Sequence, residues 1–408
     1  MRGTEPGCSL SPVRMKIGFL FNHDAGHQAF HLLPIINAYA SMRPEDDVRA
    51  YVGGDAMLEA VNAGLTPGRG RVALVDLPLP PIAGDLLRVA DLAAPASRLA
   101  RLRYNVELFR DLDALVAPER TCLLLKDMIG PTLKFIHCRH GAGDRAMGFH
   151  PSLKGFDLLL LPGAKFVRRL EDVGALHRGN QYAFIGYPKF DAVSLQAPPK
   201  NFFGNPNPTV VYNPHFSPEL SSWFKMGVAV LDWFAANPDL NLIFAPHVML
   251  FKRRYHVELS SFRFEIRRPL PSRFLNRPNI LIDVNSTRLF DMSYTLSADL
   301  YLGDVSSQVM EFIAQPRPCV FLNPHRHKWQ NDEDFAAWNL GHVVERAEDI
   351  GGAIRGALAN RGEFAEAQRA HFSDTFNLTE EPSAERAAQA IAQYLEDRTT
   401  FRPGATRE

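Results

Sequence analysis

Short apolar runs alternate with amphipathic stretches along most of the chain. Residues 16–21, 48–52, 72–77, 133–137, 157–161 and 182–186 each have the length and composition of a β-strand. Leu158 to Leu161 are apolar without alternation, the pattern of a parallel strand covered on both faces. Between these runs, helices are predicted from the end of a loop with Gly26 to about Tyr39, over 55–63, from about 97 to 116 and over 164–176. Residues 121–126 read as one more strand. Strands that alternate with helices in this way imply a doubly wound α/β unit.

The pattern stops at residues 196–208, a stretch rich in Pro, Asn and Gly that reads as a hinge or linker. It restarts with strands at 209–212, 241–245 and 279–283. Ser217-Pro218-Glu219 reads as an N-cap followed by Pro at the first helical position, opening a long helix. A helix follows over 287–297. A strand at 299–302, a helix from Ser306 and a strand at 319–322 form a βαβ unit, with Pro316 and Pro318 ending the helix. The expected organisation is therefore a disordered extension (1–14), a first Rossmann-like domain (15–195), the hinge (196–208) and a second Rossmann-like domain (209–375). Residues 376–408 carry a terminal helix that packs back on the first domain. Two such domains place a ligand between them, beyond the carboxyl ends of the strands.

Charge narrows the function. The chain has 408 residues, with 45 Lys and Arg balancing 45 Asp and Glu. A nucleic-acid binder that works by bulk charge carries a basic excess, so nucleic acid is not expected as a partner. Nothing approaches the ~20 apolar residues of a membrane span, and residues 1–14 lack the apolar centre of a secretory signal, so a cytoplasmic location is expected. Cys8, Cys122, Cys138 and Cys319 are far apart and form no CxxC, which suggests buried thiols in a reducing compartment.

Three segments could carry chemistry. Cys138-Arg139-His140-Gly141-Ala142-Gly143 follows a strand; His140 suits proton transfer near neutral pH, and the glycines allow close backbone approach. A turn with a surface histidine explains it equally well. Pro246-His247, with Lys252, Arg253 and Arg254 after it, suits a diphosphate, although a solvated basic loop is the simpler reading. Asp304-Val305-Ser306-Ser307, running to Glu311, places two hydroxyls at a helix start as an anion site, with Asp304 and Glu311 able to accept from polyol hydroxyls; plain N-capping is the alternative. His23 and His27 follow the first strand and are candidates to face the cleft. Histidines recur at 23, 27 and 31, at 137 and 140, and at 325 and 327, but no Cys or carboxylate spacing completes a metal site, so no metal is expected. Walker, GxGxxG and GxSxG patterns are absent.

Taken in order, several of these segments resemble the CDP-glycerol glycerophosphotransferase family, the teichoic-acid polymerase-like enzymes of GT-B architecture. The matching residues are His140-Gly141 with Met147-Gly148, Gly186-Tyr187-Pro188-Lys189-Phe190-Asp191, Tyr212-Asn213-Pro214-His215, Pro246-His247, the block from Asp304 to Glu311, and Arg317-Pro318. The resemblance spans roughly residues 133–325; residues 1–130 share only its general style. Val305 stands where the family has an aromatic, Lys189 for its arginine and Glu311 for its Asp. Arg139 stands where an aromatic is common, and Ala142-Gly143 replace a Thr-Pro pair. The resemblance implies two Rossmann-like domains facing a cleft. It also implies transfer of a polyol phosphate from CDP-glycerol to a hydroxyl of a glycan or lipid-linked glycan, with release of CMP and no cofactor. His140 would be the general base. His247, Ser306, Ser307 and the helix amides would stabilise charge. Arg139, Gly141, Ala142, Lys189, Pro214, His215, Pro246, Asp304 and Glu311 would form the donor pocket, and the hinge would let the domains close and exclude water. Lipid-linked acceptors are common for such enzymes, which makes peripheral contact with the inner face of the cell membrane an expectation. The alternatives are a GT-B glycosyltransferase or UDP-sugar 2-epimerase using another nucleotide-activated sugar, or a non-catalytic nucleotide-binding protein.

Overall fold

A computed structural model describes residues 14–396 apart from 24–25, 68–69, 82–86, 88–89, 92–94, 140, 178–179, 196–198 and 259–260. The extension 1–13, His140, the His27 side chain and the start of the expected hinge lie outside the described residues. The first half contributes β1 (Lys16–Phe21), β2 (Asp47–Val52), β3 (Val72–Asp76), β4 (Ala114–Ala117), β5 (Lys134–Cys138), β6 (Leu158–Leu161) and β7 (Gln181–Phe184). They form one parallel sheet in the order β3-β2-β1-β4-β5-β6-β7. The second half contributes β8 (Thr209–Asn213), β9 (Asn241–Phe244), the antiparallel pair β10 (Tyr255–Glu258) and β11 (Arg263–Ile266), β12 (Ile280–Ile282), β13 (Leu300–Gly303), β14 (Cys319–Leu322) and β15 (His342–Val344). Six of these make a second parallel sheet, β12-β9-β8-β13-β14-β15. All four residues of β4, β6, β9, β13 and β14 are buried, as strands covered on both faces require. Strand order reverses between β1 and β4 and again between β8 and β13, so each sheet opens a crevice there.

Several local expectations change. The stretch 97–116 is not one helix: helix Ala96–Tyr104 and a 3-10 turn, Val106–Phe109, precede β4, a central strand. Ala114-Leu115-Val116-Ala117 is too short for its periodicity to separate strand from helix. Residues 121–126 are a 3-10 turn, Arg120–Leu123, running into helix Leu124–Ile129, with Cys122 and Leu125 inward. Ser217 and Pro218 open a turn only. The helix Val228–Ala236 starts later, behind a π-helical turn, Trp223–Gly227, in which any Cβ on Gly227 would meet the Trp223 ring at 2.2 Å. The expected helix 287–297 is a 3-10 turn, Thr287–Leu289, and a short helix, Ser293–Ser297. The β10–β11 ribbon, β15 and the helices Ile350–Ala359 and Ala365–Thr375 were not anticipated.

The two domains share a core that runs without a break from Leu20 and Leu159 to Tyr301 and Trp338. Its middle is an aromatic group in which Tyr187, Phe190, Phe372 and Phe376 lie 4.9–5.9 Å apart, ring to ring. The terminal helix Ser383–Glu396 returns to the first domain. It buries Ala387, Ala388, Ile391 and Leu395 in the same cluster as Ile35, Ile36 and Tyr39 of helix Leu33–Met42. Its start is clamped: Asp191 accepts from the Ser383 and Ala384 amides (3.0 and 2.7 Å), while the Tyr187 amide donates to Ser383 Oγ (3.0 Å). Residues 199–208 form no helix or strand. Asparagine side chains hold them: Asn201 caps the Phe203 and Gly204 amides, and Asn205 pairs with Asn241. Cys122, Cys138 and Cys319 are buried free thiols, and burial pushes Cys138 up to about 12. Among the described residues no helix is long and apolar enough to cross a membrane.

Asp191→Ala should leave the first two amides of the terminal helix without their acceptor and cost about 1–2 kcal/mol. Urea denaturation should show this as a lower midpoint. An unchanged midpoint would show that the clamp carries no stability.

Candidate functional site

Three loops meet at the carboxyl ends of β8, β9 and β13. Asn213, closing β8, donates from Nδ2 to the Ala245 carbonyl (2.7 Å) and accepts from the Tyr301 hydroxyl (3.2 Å). The His247 amide donates to the Pro214 carbonyl (3.0 Å), so the Pro214 and Pro246 turns are held together. Asp304, directly after β13, accepts at Oδ2 from the amides of His215 (2.7 Å) and Ser222 (2.8 Å). The His215 and His247 rings are 5.5 Å apart, each 4.6 Å from Phe216. His215 Nδ1 accepts from the Ser217 amide (3.0 Å) and His247 Nδ1 from the Met249 amide (3.2 Å). Each acceptor role leaves the ring proton on Nε2, so both imidazoles present N–H donors rather than bases. Burial, then His247 and Arg145, holds His215 well below the usual histidine range.

Asp304 supports this assembly from beneath. It is fully buried, its Oδ1 has no hydrogen-bond partner among the described residues, and burial pushes its carboxyl up to about 7. That position takes it away from the donor hydroxyls it was expected to meet. Ser306 Oγ accepts from the Gln308 amide (3.2 Å). The helix behind it, Gln308–Phe312, has only five residues, too short to add the dipole field expected of it.

The first domain covers these loops with the segment after β5. Arg139 turns inward: its guanidinium lies 4.3 and 4.7 Å from the Phe149 and Phe166 rings and donates to the carbonyls of Gly141 (3.2 Å), Gly143 (3.3 Å) and Gly148. Burial holds it down to about 10. It shapes the loop instead of facing a donor, and a Cβ on Gly148 would strike it at 2.0 Å. Ala142 is likewise buried. Gly141, at φ +81°, and Gly143 rest on the second domain: a Cβ on either would stand 3.7 or 3.5 Å from Ser307. The loop from Gly141 to Gly143 therefore lies against Ser307. Arg145, further along this loop, sits 5.6 Å over the Phe335 ring, and its charge reaches His215. No motif marks Arg145 in the sequence; only the apposition of the domains reveals it. Asp144 beside it takes the buried Lys165 ammonium at 2.7 Å, with His371 of the second half 3.9 Å away.

Lys189 and Glu311 come together, but with each other. Lys189 Nζ lies 2.6 Å from Glu311 Oε1, which also accepts from the Tyr187 hydroxyl (3.2 Å); Glu311 is buried and Lys189 largely so. Glu311 is thereby engaged, while Lys189 still lines the flank of the molecule. His23 lies elsewhere, at the crevice between β1 and β4, where its Nε2 is 3.6 Å from Glu119 Oε2; Arg98 holds the same carboxylate at 2.7 Å. Glu119 and Arg98 belong to no recognisable motif. A groove of about 990 Å³ opens on the flank between helices Leu33–Met42 and Ser383–Glu396, lined by Phe30, Met42, Lys189, Phe290 and Leu296; His215, His247, Ser306 and Ser307 do not line it. Among the described residues no group of three His, Cys, Asp or Glu could hold a metal.

No protein-family model matches the sequence, and comparison with curated proteins finds no match. Solved structures do match. A UDP-N-acetylglucosamine 2-epimerase aligns over 97% of this chain and 100% of its own at 12% identity, TM-score 0.58. The wall teichoic acid polymerase TagF, soaked with CDPG, aligns over 94% of this chain and 88% of its own at 14% identity, TM-score 0.54. Anabaena Alr3699/HepE, in complex with UDP and glucose, aligns over 94% and 100% at 14% identity, TM-score 0.51. These likenesses establish the fold: two parallel-sheet α/β domains in the GT-B arrangement.

Substitutions in the Lys189–Glu311 pair and at Asp304 probe these charges. Lys189→Met should cost about 3–5 kcal/mol by stranding Glu311, and adding Glu311→Gln should restore most of it; equal stability of the single and double variants would contradict a coupled pair. At Asp304 the raised value means that the folded state favours the protonated acid while the unfolded chain ionises near 4. The wild type therefore loses stability as pH rises from about 4 to about 7. Asp304→Asn, which keeps the acceptor oxygen, should flatten that decline in melting temperatures taken from pH 4 to 8. Asp304→Ala should cost about 3 kcal/mol throughout, because two buried amides lose their acceptor.

Proposed function

We propose that this chain is a metal-independent transferase that binds a nucleotide-diphosphate-linked donor in the β8–β13 crevice and passes a group to a hydroxyl acceptor held by the first domain. The observations that carry this reading are the paired imidazoles of His215 and His247, Arg145 of the opposite domain whose charge reaches His215, and Ser307 lying against the Gly141–Gly143 loop. Such a set suits a diphosphate: directed donors on one wall and a cation on the other.

The donor we favour is CDP-glycerol or a related CDP-polyol, with a glycan or lipid-linked glycan as acceptor. The acceptor hydroxyl loses its proton to His140 as its oxygen attacks the β-phosphorus. The bond from that phosphorus to the bridging oxygen breaks, and CMP leaves with the oxygen and its electron pair. His215 and His247 donate to the oxygens that gain charge, Arg145 balances the remainder, and the Gly141–Gly143 backbone against Ser307 keeps the reacting groups close. This reading needs no cofactor. The clasp formed by Lys189 and Glu311 gives a second reading its footing. Glu311, to which the resemblance assigns the donor hydroxyls, is engaged by Lys189 and Tyr187, and a UDP-sugar donor would suit the same diphosphate site.

The product separates the two. Polyol-phosphate transfer releases a nucleoside monophosphate, whereas sugar transfer releases a nucleoside diphosphate. Incubation with CDP-glycerol, CDP-ribitol or UDP-sugars and a hydroxyl acceptor, followed by nucleotide chromatography, should show CMP; UDP in its place selects the second reading. His140→Ala should lower turnover about 10²–10⁴-fold with an unchanged melting temperature. Arg145→Ala should weaken donor binding about 10-fold or more by calorimetry, as should the pair Ser306→Ala and Ser307→Ala. Full turnover by the His140 variant would remove it as the base.

A further inference from the structure

The β10–β11 ribbon belongs to neither parallel sheet. Its register sets Tyr255 opposite Ile266 and Val257 opposite Phe264, so these four side chains share one face. All four are about half exposed, and Phe262, at the end of the ribbon, is 93% exposed in a left-handed conformation at φ +51°. A ribbon over an aqueous surface normally turns its polar residues outward. Here the polar residues turn inward and are fixed. His256 is buried, with Nε2 3.1 and 3.2 Å from the carbonyls of Leu250 and Arg253. Glu258 accepts from Ser217 Oγ (2.9 Å), and Arg263 donates to His325 Nδ1 (2.7 Å). The apolar face is thus held outward by the same loops that build the crevice.

Cations surround it. Between 252 and 268 stand Lys252, Arg253, Arg254, Arg263, Arg267 and Arg268 against Glu258 and Glu265, six charges to two, in a chain whose total is zero. Four of the exposed arginines elsewhere in this half pair with carboxylates: Arg273 with Asp232, Arg346 with Asp349, Arg355 with Asp239 and Arg361 with Asp299. Lys252, Arg253, Arg254 and Arg268 are exposed and make no salt bridge among the described residues.

We propose that this ribbon docks the protein on an anionic lipid surface. Phe262, Val257 and Phe264 enter the boundary between head groups and acyl chains, the Tyr255 ring sits at head-group level, and the flanking cations meet lipid phosphates. A second copy of the chain suits the patch less well, since five side chains on a two-stranded ribbon fall short of the ~800 Å² per partner of a stable interface. Docking does not depend on the donor chemistry. Its consequence, that the crevice opens beside acceptors anchored in that surface, rests on the transferase reading above.

The test is co-sedimentation of the full chain with vesicles of phosphatidylcholine alone or of an equal mixture with phosphatidylglycerol. Binding is expected only to the mixture. Phe262→Ser with Phe264→Ser should weaken it about tenfold or more, as should Arg253→Glu with Arg254→Glu and Arg268→Glu, with the melting temperature of both variants and the nucleotide affinity of the phenylalanine variant unchanged. Equal binding to both vesicles, variants that pellet like the wild type, or light scattering that shows a dimer dissolved by the phenylalanine changes would each overturn the proposal. Docking on the mixture by a chain that binds no nucleotide would support the ribbon's role and overturn the transferase reading.

Discussion

The buried pair between Lys189 and Glu311 is the joint on which the rest of this molecule depends. It links the segment after β7 to the first turn after Ser307, and the Tyr187 hydroxyl shares its carboxylate. A charge removed from water this thoroughly is tolerated only with its partner in place, so the pair fixes one relation between the domains. The same short segment clamps the terminal helix through Asp191 and seats Tyr187 and Phe190 in the aromatic seam. Six consecutive residues, Gly186 to Asp191, therefore serve as the fastening point for three separate parts of the chain. A buried apolar seam of this kind works against wide opening of the domains.

The fold was legible wherever one short-range signal sufficed. Uninterrupted apolar runs such as Leu158 to Leu161 and Cys319 to Leu322 mark strands covered on both sides, and the terminal helix follows from its spacing of alanines with Ile391 and Leu395. The reading fails where two signals compete. β4 is four residues of Ala, Leu and Val after a helical stretch, and its strand state comes from the sheet that surrounds it rather than from its own pattern. The π-helical start of helix Val228–Ala236 depends on Trp223 lying against Gly227, a contact no propensity encodes.

The site was legible as a set of segments but not as a set of roles. His215, His247, Ser306 and Ser307 stand out because each follows a parallel strand at the edge of a crevice. Yet Asp304, Arg139, Lys189 and Glu311, which look like ligand residues by type, turn away from it to hold loops or domains. A charged residue after a strand can serve a ligand or the frame that carries the ligand, and only three-dimensional partners distinguish the two. Arg145 is the opposite case: an unremarkable arginine in sequence, it gains meaning from the second domain it faces.

The terminal helix has a consequence for how the protein is made. Helix Leu33–Met42 buries its apolar face against residues 384–395, so during translation the first domain lacks this cover until about 340 more residues have been added. At roughly 5–20 residues per second that interval lasts on the order of tens of seconds. During synthesis the nascent first half carries a sticky surface that a holdase chaperone would recognise, and its maturation waits for the last helix.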